Sequence, residues 1–401
     1  MEVELTHLFT FFRSLGGVQT VLRHHHRNDP QHGIQSRFII FFETERPTIP
    51  RVGFLGLSWR STIWSARKRF QNAVRQHPIG VAVYVNCWGM PFLADLDGAA
   101  RRIAVLHTHY PDLESDLRRQ AGLLDGVLCV TASLARKVRT ALPDLPEQRI
   151  ELLPVPVSVP DRPAEKGPLT GRKMILGFSG RVSKEQKRVD RFPELIRCLE
   201  QAGIDFRLDI VGEGPQRAWL QRQFRHHPRV RIYGKLLGDD YWEVLARWDF
   251  TVFVSDYEGL PITMLEAMSL GALPLYPAIG SGGDAYAATV RSDLLYPPND
   301  FRQLAVTLGD LRHASPDQMK DLRQRARAAT EQHLGNKYGT IFSSFTKCIV
   351  ERPRISKSSF PRRPFFLTDY CPFGLLRRLY REGFFRRNDD LSMRFEKSAA
   401  G

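Results

Sequence analysis

Cysteine is scarce in this 401-residue chain. The five present, Cys87, Cys129, Cys198, Cys348 and Cys371, are an odd number and lie far apart. No Cys-x-x-Cys pair occurs, so neither a zinc knuckle nor a disulfide framework is expected, and reduced cytosolic thiols are the simple reading. No apolar run approaches the roughly 20 residues needed to span a bilayer. The opening MEVELTHLFTFF lacks the basic start and long apolar core of a secretory signal, which also favours a cytoplasmic protein. Acid is short as well: 43 Asp and Glu face 58 Lys and Arg, a net charge of +15. That balance suits an anionic membrane surface, a polyphosphate ligand or nucleic acid, and charge alone does not choose among them. Asp-x-Asp, a common seat for a divalent metal, occurs as Asp95-Leu96-Asp97 in a loop remote from the stretch singled out below.

What is there is ordinary for a soluble globular protein: 42% hydrophobic and 25% charged residues, in a chain too long for one typical core. Short apolar runs alternate with helical stripes. Strands are predicted over 3–10, 35–42, 80–86, 102–106, 127–130 and 150–157, then over 173–178, 206–211, 229–233, 251–254 and 272–276. That alternation predicts two doubly wound parallel sheets. The Pro-, Gly- and charge-rich stretch ending at Gly171 reads as a linker. The expected division is therefore 1–160, a linker at 161–171, a second domain at 172–345 and a basic C-terminal segment at 346–401.

The second domain is organised around TVFVSDYEGLPITMLEAMSLG, residues 251–271. A buried strand leaves through Ser255, Asp256 and Tyr257. Gly259 and Pro261 turn the chain into a helix, with Pro261 at its first position, Leu265 and Met268 on one face, and Gly271 as the stop. Glu258 and Glu266 sit eight residues apart. Between them lie the unpaired N–H groups of a helix N-terminus, Leu260 to Thr263, which favour an anion. An anion seat with an acid on either side suits a molecule with hydroxyls at both ends and phosphates in the middle, as a nucleotide-sugar is. Upstream, SGRVSKEQKRVD places Arg181 and Lys187 six apart in a loop that opens a helix. Two fixed cations there can hold a diphosphate and stabilise it as it leaves. Lys184 and Arg188 read as exposed cations. The lone Gly212-x-Gly214 is too short for a dehydrogenase fingerprint.

The Glu-x7-Glu spacing, with its glycine-proline turn, LEAM run and closing glycine, resembles the signature of the family 4 (group 1) retaining glycosyltransferases. The resemblance spans about the first 345 residues and implies the GT-B fold, two Rossmann-like domains facing across a cleft. It implies a metal-independent transfer from a nucleotide-diphosphate-sugar to a glycan, lipid-linked or small-molecule acceptor, with retention of configuration and no cofactor beyond that co-substrate. Glu266 would then bind the ribose hydroxyls and Glu258 the donor sugar. Arg181 and Lys187 would take the charge of the departing phosphate, helped by Gly259, Leu260, Pro261, Ile262 and Thr263. Gly212 and Gly214 would shape the loop beside the donor. In the first domain, Gly16 and Gly17 match the family's glycine turn, and His107, at the end of a central strand in HTHYPD, matches its histidine. His109 is the runner-up for that role. The family's asparagine-glycine turn at the hinge is replaced by PVPV, residues 154–157.

Other features read more plainly. His24, His25 and His26 are consecutive on a helix and point to different faces, so a solvated face is expected rather than a metal cluster. Gly280, Gly282 and Gly283 read as a flexible loop. Residues 351–401 carry twelve Lys and Arg against six Asp and Glu. The run GLLRRLYREGFFRR mixes basic and apolar residues at helical spacing, which fits packing across the domains, disorder, or peripheral contact with the inner face of an anionic membrane. Two alternatives stand beside the transferase: a glycan phosphorylase-like or sugar-phosphate synthase enzyme, which phosphate-dependent turnover would reveal, and a non-catalytic carbohydrate-binding subunit. Nucleic acid is not expected as a partner.

Overall fold

Among the described residues, thirteen strands fall into two parallel sheets, each with its own core. The structure, a computed structural model, describes residues 2–14, 16–45, 47–110, 113–160, 166–355 and 366–381. The chain divides into a first unit, residues 1–153 together with the chain from Tyr338 onward, and a second unit, Pro154–Lys337. The expected linker residues 166–171 thus lie inside the second unit, and the chain returns to the first seven residues before the expected end of the second domain.

In the first unit the strands are β1 (Val3–Phe9), β2 (Ile34–Ile40), β3 (Val52–Phe54), β4 (Val81–Val85), β5 (Arg101–Leu106), β6 (Gly126–Cys129) and β7 (Ile150–Leu152). Their order is β3-β2-β1-β4-β5-β6-β7, and every pairing is parallel. β3 falls between the expected strands at 35–42 and 80–86, where none was expected, and β7 stops at Leu152 rather than continuing through PVPV. Sheets of this kind are covered on both faces, which explains why β4 is buried along its whole length. The Lys337–Glu351 helix supplies part of the cover. Its Phe345 and Ile349 approach Gly126 so closely that a Cβ there would lie 2.9 and 2.8 Å from them. Arg101 donates to the carbonyls of Ile349 at 3.1 Å and Arg352 at 2.9 Å. Both members of Asp95-Leu96-Asp97 are used internally. Asp95 pairs with Arg67 at 2.7 Å, and Asp97 with Arg102 and the Tyr84 hydroxyl, each at 2.7 Å.

Within the described part of the basic C-terminal segment, the Phe373–Arg381 helix belongs to the first unit. Residues 356–365 and 382–401, and with them most of the tail expectation, lie outside the described residues.

The second unit has β8 (Met174–Ser179), β9 (Phe206–Val211), β10 (Val230–Gly234), β11 (Phe250–Val252), β12 (Leu273–Pro277) and β13 (Leu295–Tyr296) in the order β10-β9-β8-β11-β12-β13, again parallel. Fully buried Trp248 packs on Gly177, where a Cβ would sit 1.8 Å from the indole, so β8 admits only glycine at that point. PVPV opens this unit. His333 holds it, with Nδ1 3.0 Å from the Val155 carbonyl and its own carbonyl accepting from Val157 N at 3.0 Å. One helix boundary differs from expectation. Gly282 and Gly283 are not loop: Ser281 and Asp284 form a capping box that starts the Gly282–Val290 helix there.

Candidate active site

In an open parallel sheet, ligands sit beyond the carboxyl ends of the strands where the order reverses. In the second unit that reversal lies between β8 and β11. The two loops leaving those ends are the ones the sequence singled out, residues 180–191 and 253–261.

The β8 loop is laid flat against the glycines after β9. Val182 N donates to the Glu213 carbonyl at 2.8 Å, and Gly180 N to that of Val211 at 3.0 Å. Gly212 (φ 140°) and Gly214 (φ 156°) allow this approach: a Cβ on the first would lie 1.9 Å from the Gly180 carbonyl oxygen, and on the second 2.4 Å from that of Val182. Arg181 lies in this loop, half-buried.

Lys187 closes on the β11 loop. Its Nζ is 2.7 Å from Glu258 Oε1, which also accepts from Ser255 Oγ at 2.6 Å. Gln186 Nε2 reaches the Tyr257 carbonyl at 3.1 Å and Glu258 Oε2 at 3.3 Å. Below this, Asp256 is gripped by Arg188 at 2.8 Å and Arg191 at 2.5 Å, and Arg191 also donates to the Val254 carbonyl at 2.7 Å. Arg188 is therefore not a plain surface cation. It sits in the left-handed region (φ 49°) and pairs with Asp190 as well. The Arg188–Arg191–Asp256 clamp was missed from sequence. A spacing of three between the arginines was the available signal, and Asp256 is remote in the chain.

The Ile262–Ser269 helix follows. Pro261 is its N-cap, one position earlier than expected, and no side chain there caps the first N–H groups. Thr263 Oγ1 donates to the Ser179 carbonyl at 3.0 Å, docking the helix start on the end of β8. One turn on, the buried carboxyl of Glu266 accepts from the Tyr241 hydroxyl at 2.6 Å, and Tyr241 in turn receives Ser179 Oγ at 3.4 Å. Burial pushes the Glu266 carboxyl up to about 7, while the Tyr241 hydrogen bond pulls the other way. Tyr241, on the Gly238–Ala246 helix, is a second residue the sequence did not reveal. Gly271 takes a left-handed φ of 79° and ends the helix as expected.

Gly16, Gly17 and His107 belong to the first unit. Gly16 is the N-cap of the Gly17–Asn28 helix after β1, in extended backbone. His107 follows β5, buried, with its backbone N donating to Asn86 Oδ1 at 2.7 Å. Burial lowers its pKa to about 3, with His25 and His7 adding to the shift, so its ring is neutral at working pH. His109 pairs with Ser133 Oγ at 3.0 Å.

The histidine run is not a solvated face. His25 is buried, with Nδ1 2.8 Å from Asp29 Oδ1 and Nε2 2.6 Å from the Tyr338 hydroxyl. His7, on β1, lies 3.7 Å from Asp29 Oδ2, stacked on Phe38 and Phe342. His24 lies edge-on against Tyr338, 5.3 Å between centroids, and His26 turns toward the Pro50 carbonyl at 2.9 Å.

Residues 173–313 match the sequence family described as Glycosyl transferases group 1. WcaL of Escherichia coli K12, named as a colanic acid biosynthesis glycosyltransferase, is 29% identical over 157 residues, 37% of this chain and 38% of its own length. The 2-deoxystreptamine glucosyltransferase of Streptomyces kanamyceticus is 29% identical over 206 residues, 48% of this chain and 51% of its own. The chain thus spans about half or less of the curated relatives it matches. Among solved structures, the lipopolysaccharide outer core galactosyltransferase WaaB superposes with a TM-score of 0.63 at 17% identity, covering 86% of this chain and 99% of that one. The pneumococcal O-GlcNAc transferase GtfA, in complex with UDP and GlcNAc, gives 0.67 at 9%, covering 88% and 100%. At such identities the likeness is one of fold, and the fold is GT-B: two Rossmann-like units, each on a parallel sheet.

Proposed function

We propose, from a second unit whose residues 173–313 match the family described as Glycosyl transferases group 1, that this chain is a retaining, family 4 glycosyltransferase acting on a nucleotide-diphosphate-sugar. The observation that carries the reading is the meeting of Lys187 and Glu258 at 2.7 Å, beyond the β8 and β11 ends and beside the uncapped start of the Ile262–Ser269 helix. GtfA, a neighbour in fold, was crystallised with UDP. In this reading the diphosphate rests on the helix start, and Lys187 and Arg181 take up its charge. Lys187 is then shared between Glu258 and the phosphate, while Glu258 turns an oxygen to the donor sugar. Glu266 accepts from the ribose hydroxyls in its carboxylate form. The bond between the anomeric carbon and the phosphate oxygen breaks, and the acceptor oxygen bonds to that carbon on the same face. The acceptor's proton passes to the departing phosphate. In the first unit, His107 offers a neutral ring or its backbone to a sugar, and Gly16 and Gly17 an open stretch of backbone. Two fixed cations take the place of a divalent metal, so transfer persists in a chelator. Glycan and lipid-linked acceptors are the classes offered, in the cytoplasm.

A thermal-shift screen against UDP-, GDP- and ADP-sugars tests this. One set raises the melting temperature of the wild type and fails to do so for Glu266→Ala. If no nucleotide-sugar shifts or is consumed by the wild-type protein, the reading falls.

A further inference from the structure

Five of the nine exposed large hydrophobic side chains among the described residues are gathered on two paired segments of the first unit: Trp64, Phe366, Leu367, Tyr370 and Leu375. The segments are locked together. Thr62 and Pro372 form an isolated bridge, Phe373 N donates to the Ser61 carbonyl at 2.8 Å, and Gly374 N to the Trp59 carbonyl at 2.8 Å. Phe373 and Leu376 are buried beneath, Phe373 against Phe42 at 5.6 Å between centroids. The outer side chains are therefore held outward by a fixed underside, and Leu367 is 91% exposed. The Tyr370 ring stacks on Trp64 at 6.3 Å, and Lys68 Nζ lies 5.3 Å over the same indole.

Charge says what covers this face. From Trp59 to Gln76 there is no acidic residue. Arg60, Lys68, Arg69 and Arg75 are exposed, and so is Arg378 on the other segment. The acid in 366–381, Asp369, is buried and accepts from Phe366 N at 3.1 Å. Among the described residues of these two segments, 59–76 and 366–381, no exposed carboxylate is present, so a second copy of the chain would bring like charge against like there. Tryptophan and tyrosine at the level of lipid headgroups, leucine below them and lysine and arginine around them are what an anionic bilayer surface accommodates.

We propose that this face, Trp64 with Leu367, Tyr370 and Leu375 inside a rim of Arg60, Lys68 and Arg378, seats the first unit on a bilayer rich in anionic lipid. The seat is independent of the donor site and stands whether or not the transfer reading does. Co-sedimentation of the full chain with phosphatidylglycerol-rich vesicles and with pure phosphatidylcholine vesicles is the test. The wild type partitions to the anionic vesicles, and added salt weakens it. The triple variant Trp64→Ser, Leu367→Ser, Tyr370→Ser partitions about tenfold less or worse, and Lys68→Glu about fivefold less. Both keep the wild-type melting temperature, because the changed side chains lie outside the core. Three results overturn the proposal. The triple variant binds like the wild type, as it would if another basic segment carried the attraction. The wild type ignores anionic vesicles. Or the wild type is a dimer that the triple variant splits, which makes the face a contact between copies or with another protein.

Discussion

In the first unit, His25 lies between Asp29 and Tyr338, and Asp97 between Arg102 and Tyr84. In the second, Lys187, Glu258, Tyr241 and Glu266 collect where β8 and β11 end. Both units are parallel Rossmann-like sheets, yet these two sets of buried polar groups are placed differently. Those of the first close on one another deep in its core, so they fix packing. The second sets them at strand ends, with glycines at 212 and 214 bringing one loop down upon another, so they can also meet a ligand. The titration directions separate the units too. His7, His24 and His109 are held at about 4 and His107 at about 3, all lowered chiefly by burial. Such groups stabilise the fold above their unfolded value near 6.5, and that stability is lost as pH falls from there toward 4. The second unit has one comparable histidine, His333. Its Glu266 has the opposite sign: raised to about 7, it stabilises below its ordinary value of 4.5, and that contribution is lost as pH rises through 7.

The contrast breaks most visibly if the strand-end cluster is structural after all. Lys187→Met should lower transfer by about a hundredfold or more with the melting temperature nearly unchanged. Full activity would put Lys187 with the packing pairs of the first unit. Gly212→Ala should destabilise the second unit by about 2–4 kcal/mol, because its Cβ meets the Gly180 carbonyl. A stable, active variant in urea titration would mean the loop contact is slack. His7→Leu sharpens the comparison from the other side. It should flatten the loss of stability between pH 6.5 and 4 by about 2 kcal/mol, read from urea midpoints across that range. An unchanged slope would place the acid sensitivity elsewhere. The smallest effect belongs to Tyr241→Phe. Removing its hydrogen bond leaves the Glu266 carboxyl higher still, so donor binding should need higher pH and weaken about threefold at pH 7. A pH profile that does not move would leave Tyr241 no part in holding the carboxylate.

Much of this was legible because the physics is local. A strand buried on both faces must be apolar, and a helix after Gly-Pro must start there, so β4, β9 and the 251–271 stretch could be read directly. Gly212 and Gly214 were legible as loop-shaping, though not that their partner is the Arg181 loop. What sequence could not supply was partnership across distance. Nothing in HHH tells that His25 faces Asp29 four residues on and Tyr338 far away. Nothing in YWEVL tells that Tyr241 reaches Glu266. β3 is three residues on a sheet edge, too short for any periodicity. The division of the chain was misplaced because Pro and Gly mark irregular backbone, which here runs within a unit.

The helix carrying Tyr338, Phe345 and Ile349 closes over β1, β6 and His25, yet it is made after the whole of the second unit. A ribosome therefore delivers β1 to β7 long before their cover. Until then the apolar floor around Gly126 and the imidazole of His25 stay wet and open to chaperones or to neighbouring nascent chains. Release of a chain truncated before Tyr338 should yield a finished second unit joined to an unfinished, aggregation-prone first one.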